Sequence, residues 1–130
     1  MLKDSKAFSS FSVDDIAKAK EFYGQTLGLD VTEAPEGLSL HVAGGGEIFI
    51  YPKSNHIPAT FTVLNFSVDD VDRVVDALTS VGVQFEQYDN EYMHTDEKGV
   101  SRNDSPEMGP EAMAWFQDPA GNIISVLQGK

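Results

Sequence analysis

The chain carries three histidines, His41, His56 and His94, and no cysteine. Thiolate nucleophiles, disulfides and sulfur-ligated metals are therefore outside its chemistry. The histidines could act as bases or as nitrogen ligands. No two of them stand at i, i+2 or i, i+4, the spacings that bring two imidazoles to one ion. His41 has Glu47 near it across a glycine-rich turn, and His94 is followed by Asp96 and Glu97. Either could hold a stray cation. A nucleophilic serine needs a partner base, and no G-x-S-x-G elbow or comparable spacing supplies one. Paired carboxylates occur at Asp14/Asp15 and Asp69/Asp70, where helix capping accounts for them. Gly44–Gly46 lacks the Lys-Ser/Thr and the helix that would make it a phosphate loop. No catalytic set stands out, and whether the protein is an enzyme stays open at this level.

The scaffold around these residues is marked by a repeat. Phe-Ser-Val-Asp-Asp occurs at Phe11–Asp15 and again at Phe66–Asp70. After the first copy, Ile16, Ala19, Phe22, Tyr23 and Leu27 form a helical stripe that Gly28 can stop. After the second, Val71, Val74, Val75, Leu78 and Val81 form another, which Gly82 can stop. The copies match at an offset of 55 and slip by one residue at the glycines. Each reads as strand, Asp cap, helix, Gly stop and three further strands. In the first module these strands are expected near Val31–Glu33, Leu38–Val42 and Glu47–Tyr51, with Ala43–Gly46 as a hairpin turn. In the second they are expected near Gln84–Gln87, Ala112–Gln117 and Ile123–Leu127, with Asp118–Asn122 as the turn. Lys53–Ala59 links the two. The expectation is an α+β fold, one domain over 1–130 built from two tandem βαβββ modules at about 7–52 and about 60–128. The polar segment Tyr88–Pro110 breaks the symmetry and reads as a functional lid or a solvated loop.

At 130 residues the chain can bury a core without staples. Its net charge of −12 disfavours nucleic acid, whose binding runs on Lys and Arg releasing counterions, and disfavours anionic membrane. No apolar run reaches the length of a membrane span, and Met1–Ser10 lacks the apolar stretch of a signal peptide. A cytoplasmic protein is expected.

The segments FSVDDIAKAKEFYGQTLGL and WFQDPAGNIISVLQ, set in two βαβββ modules, resemble the vicinal oxygen chelate superfamily. That group includes glyoxalases, extradiol dioxygenases, and fosfomycin- and bleomycin-resistance proteins. The resemblance covers nearly the whole chain. It implies curved mixed sheets around a cleft, and in the metal-using members a divalent ion held by His or Glu on the first and last strand of each module. Those four positions fall here on Phe8, Ile48, Val63 and Ser125, none a good divalent ligand. The resemblance therefore implies a metal-free member with no cofactor.

If the ligand positions face the cleft, strand alternation adds their neighbours two residues away. The expected wall is Phe8, Ser10 and Ser12; Ile48 and Ile50; Val63, Asn65 and Ser67; and Ile123, Ser125 and Leu127. Apolar walls with a few hydroxyls and an amide suit a small-molecule pocket. Trp115 and Phe116 are candidates for an aromatic side of it, and Tyr92, Met93 and His94 could close over its mouth. The expected ligand-binding set is thus Phe8, Ser10, Ile48, Ile50, Val63, Asn65, Ser125, Trp115, Tyr92 and His94, with no catalytic and no metal-binding residue. The expected function is binding of a small organic ligand in the cleft between the modules, and the acidic surface suits a cationic drug or metabolite. The alternatives are a lyase or dioxygenase-type enzyme with a metal at non-standard ligands, and a non-catalytic dimeric module. A homodimer is expected, because an open edge strand needs cover.

Overall fold

The computed structural model describes residues 1–103 and 109–129. Its contacts divide into an N-terminal unit over Met1–Pro58 and a C-terminal unit that starts at Ala59.

The N-terminal unit opens with β1 (Ser9–Val13) and α1 (Ile16–Glu21). Asp15 caps α1, its carboxylate accepting from the Lys18 amide at 3.1 Å. The helix does not continue as a regular α-helix to Leu27. It widens into a π-helical turn over Phe22–Thr26, closed by the Leu27 amide donating to the Phe22 carbonyl at 2.9 Å. A π-turn absorbs one extra residue in a helix. It therefore accounts for the one-residue slip between the two copies: Asp15 to Gly28 is one residue longer than Asp70 to Gly82. Both glycines have the positive φ expected of helix stops. Then come β2 (Asp30–Ala34), β3 (Gly37–His41) and β4 (Glu47–Pro52), giving a sheet of order β1-β4-β3-β2 with β1 parallel to β4.

The register of this sheet decides its faces. Ser10 lies opposite Phe49, Phe11 opposite Ile50 and Ser12 opposite Tyr51. Leu38 and Leu40 lie opposite Ile50 and Ile48. The ring of Phe11 meets the buried Tyr23 of the π-turn at 6.1 Å. Phe11, Val13, Leu38, Leu40, Ile48 and Ile50 thus form the face that the helix covers, and most of them are fully buried. Beside Phe49, Gly37 has no room for a side chain, since a Cβ there would stand 2.0 Å from the Ile50 carbonyl oxygen and 3.1 Å from Phe49 Cζ.

The C-terminal unit repeats the plan with β5 (Thr62–Ser67) and α2 (Val71–Ser80), capped by Asp70 through the Arg73 amide at 3.2 Å. Its sheet has the order β5-β8-β7-β6, with β6 at Val100–Arg102, β7 at Ala112–Gln117 and β8 at Ile123–Gln128. The strand expected at Gln84–Gln87 does not form. Phe85 makes a single bridge to Phe116, and the Glu86 amide donates to the Trp115 carbonyl at 2.8 Å. The rest of that edge of β7 is taken by β6, which comes from inside the polar segment. The module plan called for a strand at 84–87, but β7 takes β6 as its partner there.

Gln128 accepts from the Val71 amide at 2.9 Å, so the side chains of β8 in step with Gln128 point to α2. Ile124, Val126, Ala112, Ala114, Phe116 and Val100 share that face and are buried. Burying such a continuous apolar layer is the main favourable term for a unit of this size. Asp118 fixes the last turn. Its carboxylate accepts from the Ala120 and Asn122 amides, both at 2.9 Å, and from Asn122 Nδ2 at 3.0 Å. Among the described residues no helix is long and apolar enough to cross a membrane.

Candidate functional site

On the second sheet, the face turned away from α2 carries Asn65, Ser125 and Trp115 side by side across β5, β8 and β7. Ser125 has no exposed surface, and its hydroxyl donates to Asn65 Oδ1 at 2.5 Å. A buried hydroxyl must find an acceptor, and Asn65 supplies it. Trp115 is 7 % exposed, and Tyr88 meets its ring edge-on at 5.6 Å. Burial raises the Tyr88 phenol above its ordinary range, and the nearby Glu86 charge adds to the rise. Tyr88 therefore stays a neutral donor at any physiological pH. Met113 and Leu127 continue this face as cross-strand partners. Val63 falls where the β5–β8 register shifts between Thr62 and Leu64, so its place in the row is less regular than alternation implied. Phe116 belongs to the opposite face: it is fully buried, against Phe85 at 5.4 Å.

Tyr92 and His94 sit on a tight loop between Tyr88 and Thr95. The Thr95 amide donates to the Tyr88 carbonyl, and the Tyr88 amide donates to Thr95 Oγ1, both at 2.8 Å. Tyr92 is 88 % exposed at the tip, and His94 Nδ1 lies 3.3 Å from Asp89 Oδ1. Tyr92, Met93 and His94 line a hollow of about 330 Å³ together with Asp96, Val100, Ser101 and Arg102. The expected solvated or closing loop is thus, as far as Asn103, a folded segment with a strand of its own. Residues 104–108, including Met108, lie outside the described residues.

On the first sheet, Ser10 and Ser12 share a face with Phe49 and Tyr51. Ile48 and Ile50, expected beside the two serines, face the helix instead, at 8 % and 0 % exposure. A shift of one residue in the assumed register exchanges the faces of a whole strand. Phe49 and Tyr51 are stacked, with ring centroids 6.4 Å apart. Phe8 precedes β1 and is 70 % exposed. Histidine chemistry also appears here that sequence spacing did not disclose. Ser12 Oγ and His56 Nδ1 are 2.6 Å apart, which brings the linker onto this face. Thr32 Oγ1 and His41 Nε2 are 2.8 Å apart, and His41 Nδ1 lies 3.4 Å from Glu47 Oε1.

The divalent ion used by metal-dependent members does not fit the four positions implied for it. Phe8, Ile48 and Val63 bring no donor atom, Ile48 points away, and the Ser125 hydroxyl is engaged by Asn65. His41 with Glu47 is the nearest approach to a donor pair on the first sheet. Among the described residues no group of three or more His, Cys, Asp or Glu is placed to hold an ion.

A family model for the Glyoxalase/Bleomycin resistance protein/Dioxygenase superfamily matches residues 8–126. A comparison with curated proteins finds no match. Among solved structures, a glyoxalase family protein from Bacillus anthracis is similar at 22 % identity and TM-score 0.66, with all of both chains covered. TnmS3, an antibiotic binding protein from Streptomyces sp. CB03234, is similar at 23 % identity and TM-score 0.61, with 98 % of each chain covered. The fosfomycin resistance protein FosX from Listeria monocytogenes reaches TM-score 0.69 at 14 % identity, with 99 % of this chain and 96 % of that one covered. At these identities the structures speak to the fold. With nearly its full length matched by the family model, the chain belongs to the glyoxalase/bleomycin resistance protein/dioxygenase superfamily.

Proposed function

We propose that this protein is a binding member of its superfamily, one that takes a small organic molecule without a metal ion. The observation that carries the reading is the Asn65–Ser125 pair beside Trp115. A polar pair of fixed geometry next to a large aromatic surface is what orients a ligand held by apolar contact. Asn65 keeps its carboxamide nitrogen for the ligand while its oxygen holds Ser125. Ser10, Ser12, Phe49 and Tyr51 offer a second surface of the same mixed character on the first sheet. The antibiotic-binding neighbour TnmS3 is in keeping with this reading. The net charge of −12 favours a cationic ligand, because the protein's field raises its local concentration.

Trp115 is the only tryptophan, so its emission reports the site directly. Ethidium, a planar aromatic cation, and phenazine, a neutral one, are suitable probes. The reading expects saturable quenching by both, tighter for ethidium at low salt. Absence of saturable quenching by either would refute it, and ethidium binding unchanged by salt would remove the preference for cations. The alternative, an enzyme with metal at non-standard ligands, has the His41–Glu47 contact in its favour. Stoichiometric metal remaining after dialysis would establish that alternative over ours. The reading also includes a cytoplasmic location and pairing of two copies. Exposed Phe8, Ile57 and Phe61 support the pairing; a monomer by light scattering would overturn it.

A further inference from the structure

The segment that carries Tyr88, Tyr92 and His94 is tied to α2 by charge. Arg102 on β6 meets Asp72 on α2 with two parallel hydrogen bonds, Nη1 to Oδ2 at 3.0 Å and Nη2 to Oδ1 at 2.7 Å. Its Nη2 also donates to Asp96 Oδ2 at 3.3 Å. Lys98 Nζ donates to Asp72 Oδ1 at 3.1 Å and lies 3.0 Å from Asp76 Oδ1. Between these charges the turn is well made. Asp96 Oδ1 accepts from the Lys98 and Val100 amides, both at 2.9 Å. Gly99 is pressed onto the chain behind it, where a Cβ would stand 2.8 Å from Phe85 Cβ and 2.9 Å from the Glu86 carbonyl oxygen. An isolated surface ion pair contributes little, but bidentate Arg–carboxylate geometry within a network is the exception.

We propose that Asp72 is a positioning residue for the ligand site: with Arg102, Lys98 and Asp96 it forms an electrostatic clasp that holds the Tyr88–Asn103 segment, and so sets Tyr88 against Trp115. The proposal rests on the ligand-binding reading for its consequence and on the clasp geometry for its mechanism. Its consequence is specific. Salt screens the clasp, so affinity for a neutral aromatic ligand falls as salt rises, although such a ligand feels no direct Coulomb attraction. Loss of the clasp lowers the fraction of protein with Tyr88 in place, and the apparent affinity falls with that fraction.

The test uses the whole chain, as wild type, Asp72→Asn and Arg102→Lys. In the ligand-free protein, amide hydrogen exchange is followed at Thr95, Asp96 and Val100, with β8 amides as reference. Asp72→Asn is expected to speed exchange at those three about fivefold and to shift Trp115 emission, with β8 unchanged. Arg102→Lys, which keeps the charge but loses the fork, is expected to fall in between. Unchanged exchange at the three amides, or equal acceleration in β8, would overturn the clasp. In the ligand arm, phenazine affinity is expected to drop about fivefold from low to molar salt in wild type and to be nearly flat in Asp72→Asn. Equal salt dependence in both proteins would overturn the link to the site. Failure of phenazine to bind at all would sink the ligand-binding reading, while the exchange arm would still decide the clasp.

Discussion

Removing either partner of the Asn65–Ser125 hydrogen bond should cost stability, and by unequal amounts. Intuition from exposure says that Ser125→Ala is the worse change, because Ser125 is fully buried and Asn65 is exposed. The physics of unsatisfied groups reverses the order. In Ser125→Ala the buried hydroxyl is gone, and the freed Asn65 oxygen can turn to water. The cost is the net worth of one hydrogen bond, about 1 kcal/mol. In Asn65→Ala the hydroxyl remains, 0 % exposed, with its acceptor removed. The cost is then the desolvation of an orphaned group, about 2–3 kcal/mol. The double variant removes both groups and should recover most of the difference, settling at about 1–1.5 kcal/mol. Urea unfolding followed by Trp115 emission measures all four proteins, with the m-value as the check that the folded and unfolded states are comparable. If Asn65→Ala costs no more than Ser125→Ala, the buried hydroxyl has found another acceptor. The role of Asn65 as the group that orients Ser125 would then be refuted.

Acid should weaken the C-terminal unit through Asp72. The hydrogen bond from Arg102 holds this carboxyl at about 2, below its ordinary 3.8, with Lys98 contributing and burial opposing. A carboxyl depressed in the folded state adds stability above the unfolded value and loses it as pH falls through the folded one. Sealed from water the shift would be worth about 2.4 kcal/mol, but the side chain is 39 % exposed, so screening leaves about 1 kcal/mol. The stability difference between wild type and Asp72→Asn should be about that size near neutral pH and vanish between pH 4 and 2; a difference that persists unchanged at pH 2 would contradict it. Asp76, Asp96, Lys98 and Arg102 stand around Asp72 in this window, and Asp69, Asp70 and Glu111 line the same hollow. Gly37→Ala should cost about 3 kcal/mol or prevent folding, because the new Cβ would meet the Ile50 carbonyl oxygen at 2.0 Å. A urea midpoint within error of wild type would show that β3 and β4 can part more easily than their packing indicates.

What sequence disclosed and what it hid divide along local and non-local lines. The repeated Phe-Ser-Val-Asp-Asp, the Asp caps and the Gly stops act within a few residues, and they appear where the pattern put them. Even the one-residue slip at Gly28 had a physical meaning, the π-turn over Phe22–Thr26. The faces of β4 were misassigned because alternation gives a period of two but no phase. Only the pairing of Ser10 with Phe49 supplies the phase, and that pairing spans the whole first module. β6 was hidden for a related reason: three residues in a polar segment carry too little pattern to mark a strand. The Ser12–His56 contact joins residues 44 apart, and the Asp72–Arg102 pair residues 30 apart. Neither distance leaves a spacing that a local reading could detect. The row of Asn65, Ser125 and Trp115, by contrast, was within reach, since each belongs to a strand that the repeat or the Asp118–Asn122 turn had already marked.

The most direct test of metal-free ligand binding is a titration of isotopically labelled, metal-stripped protein with ethidium, followed by amide and side-chain resonances. The account expects saturable shifts of the Trp115 indole N–H and the Asn65 carboxamide, unaffected by chelator, with the amides of Ile124 and Val126 on the α2 face nearly still. Shifts that are absent, that appear only after metal is restored, or that fall on the α2 face and spare Trp115 and Asn65 would contradict it.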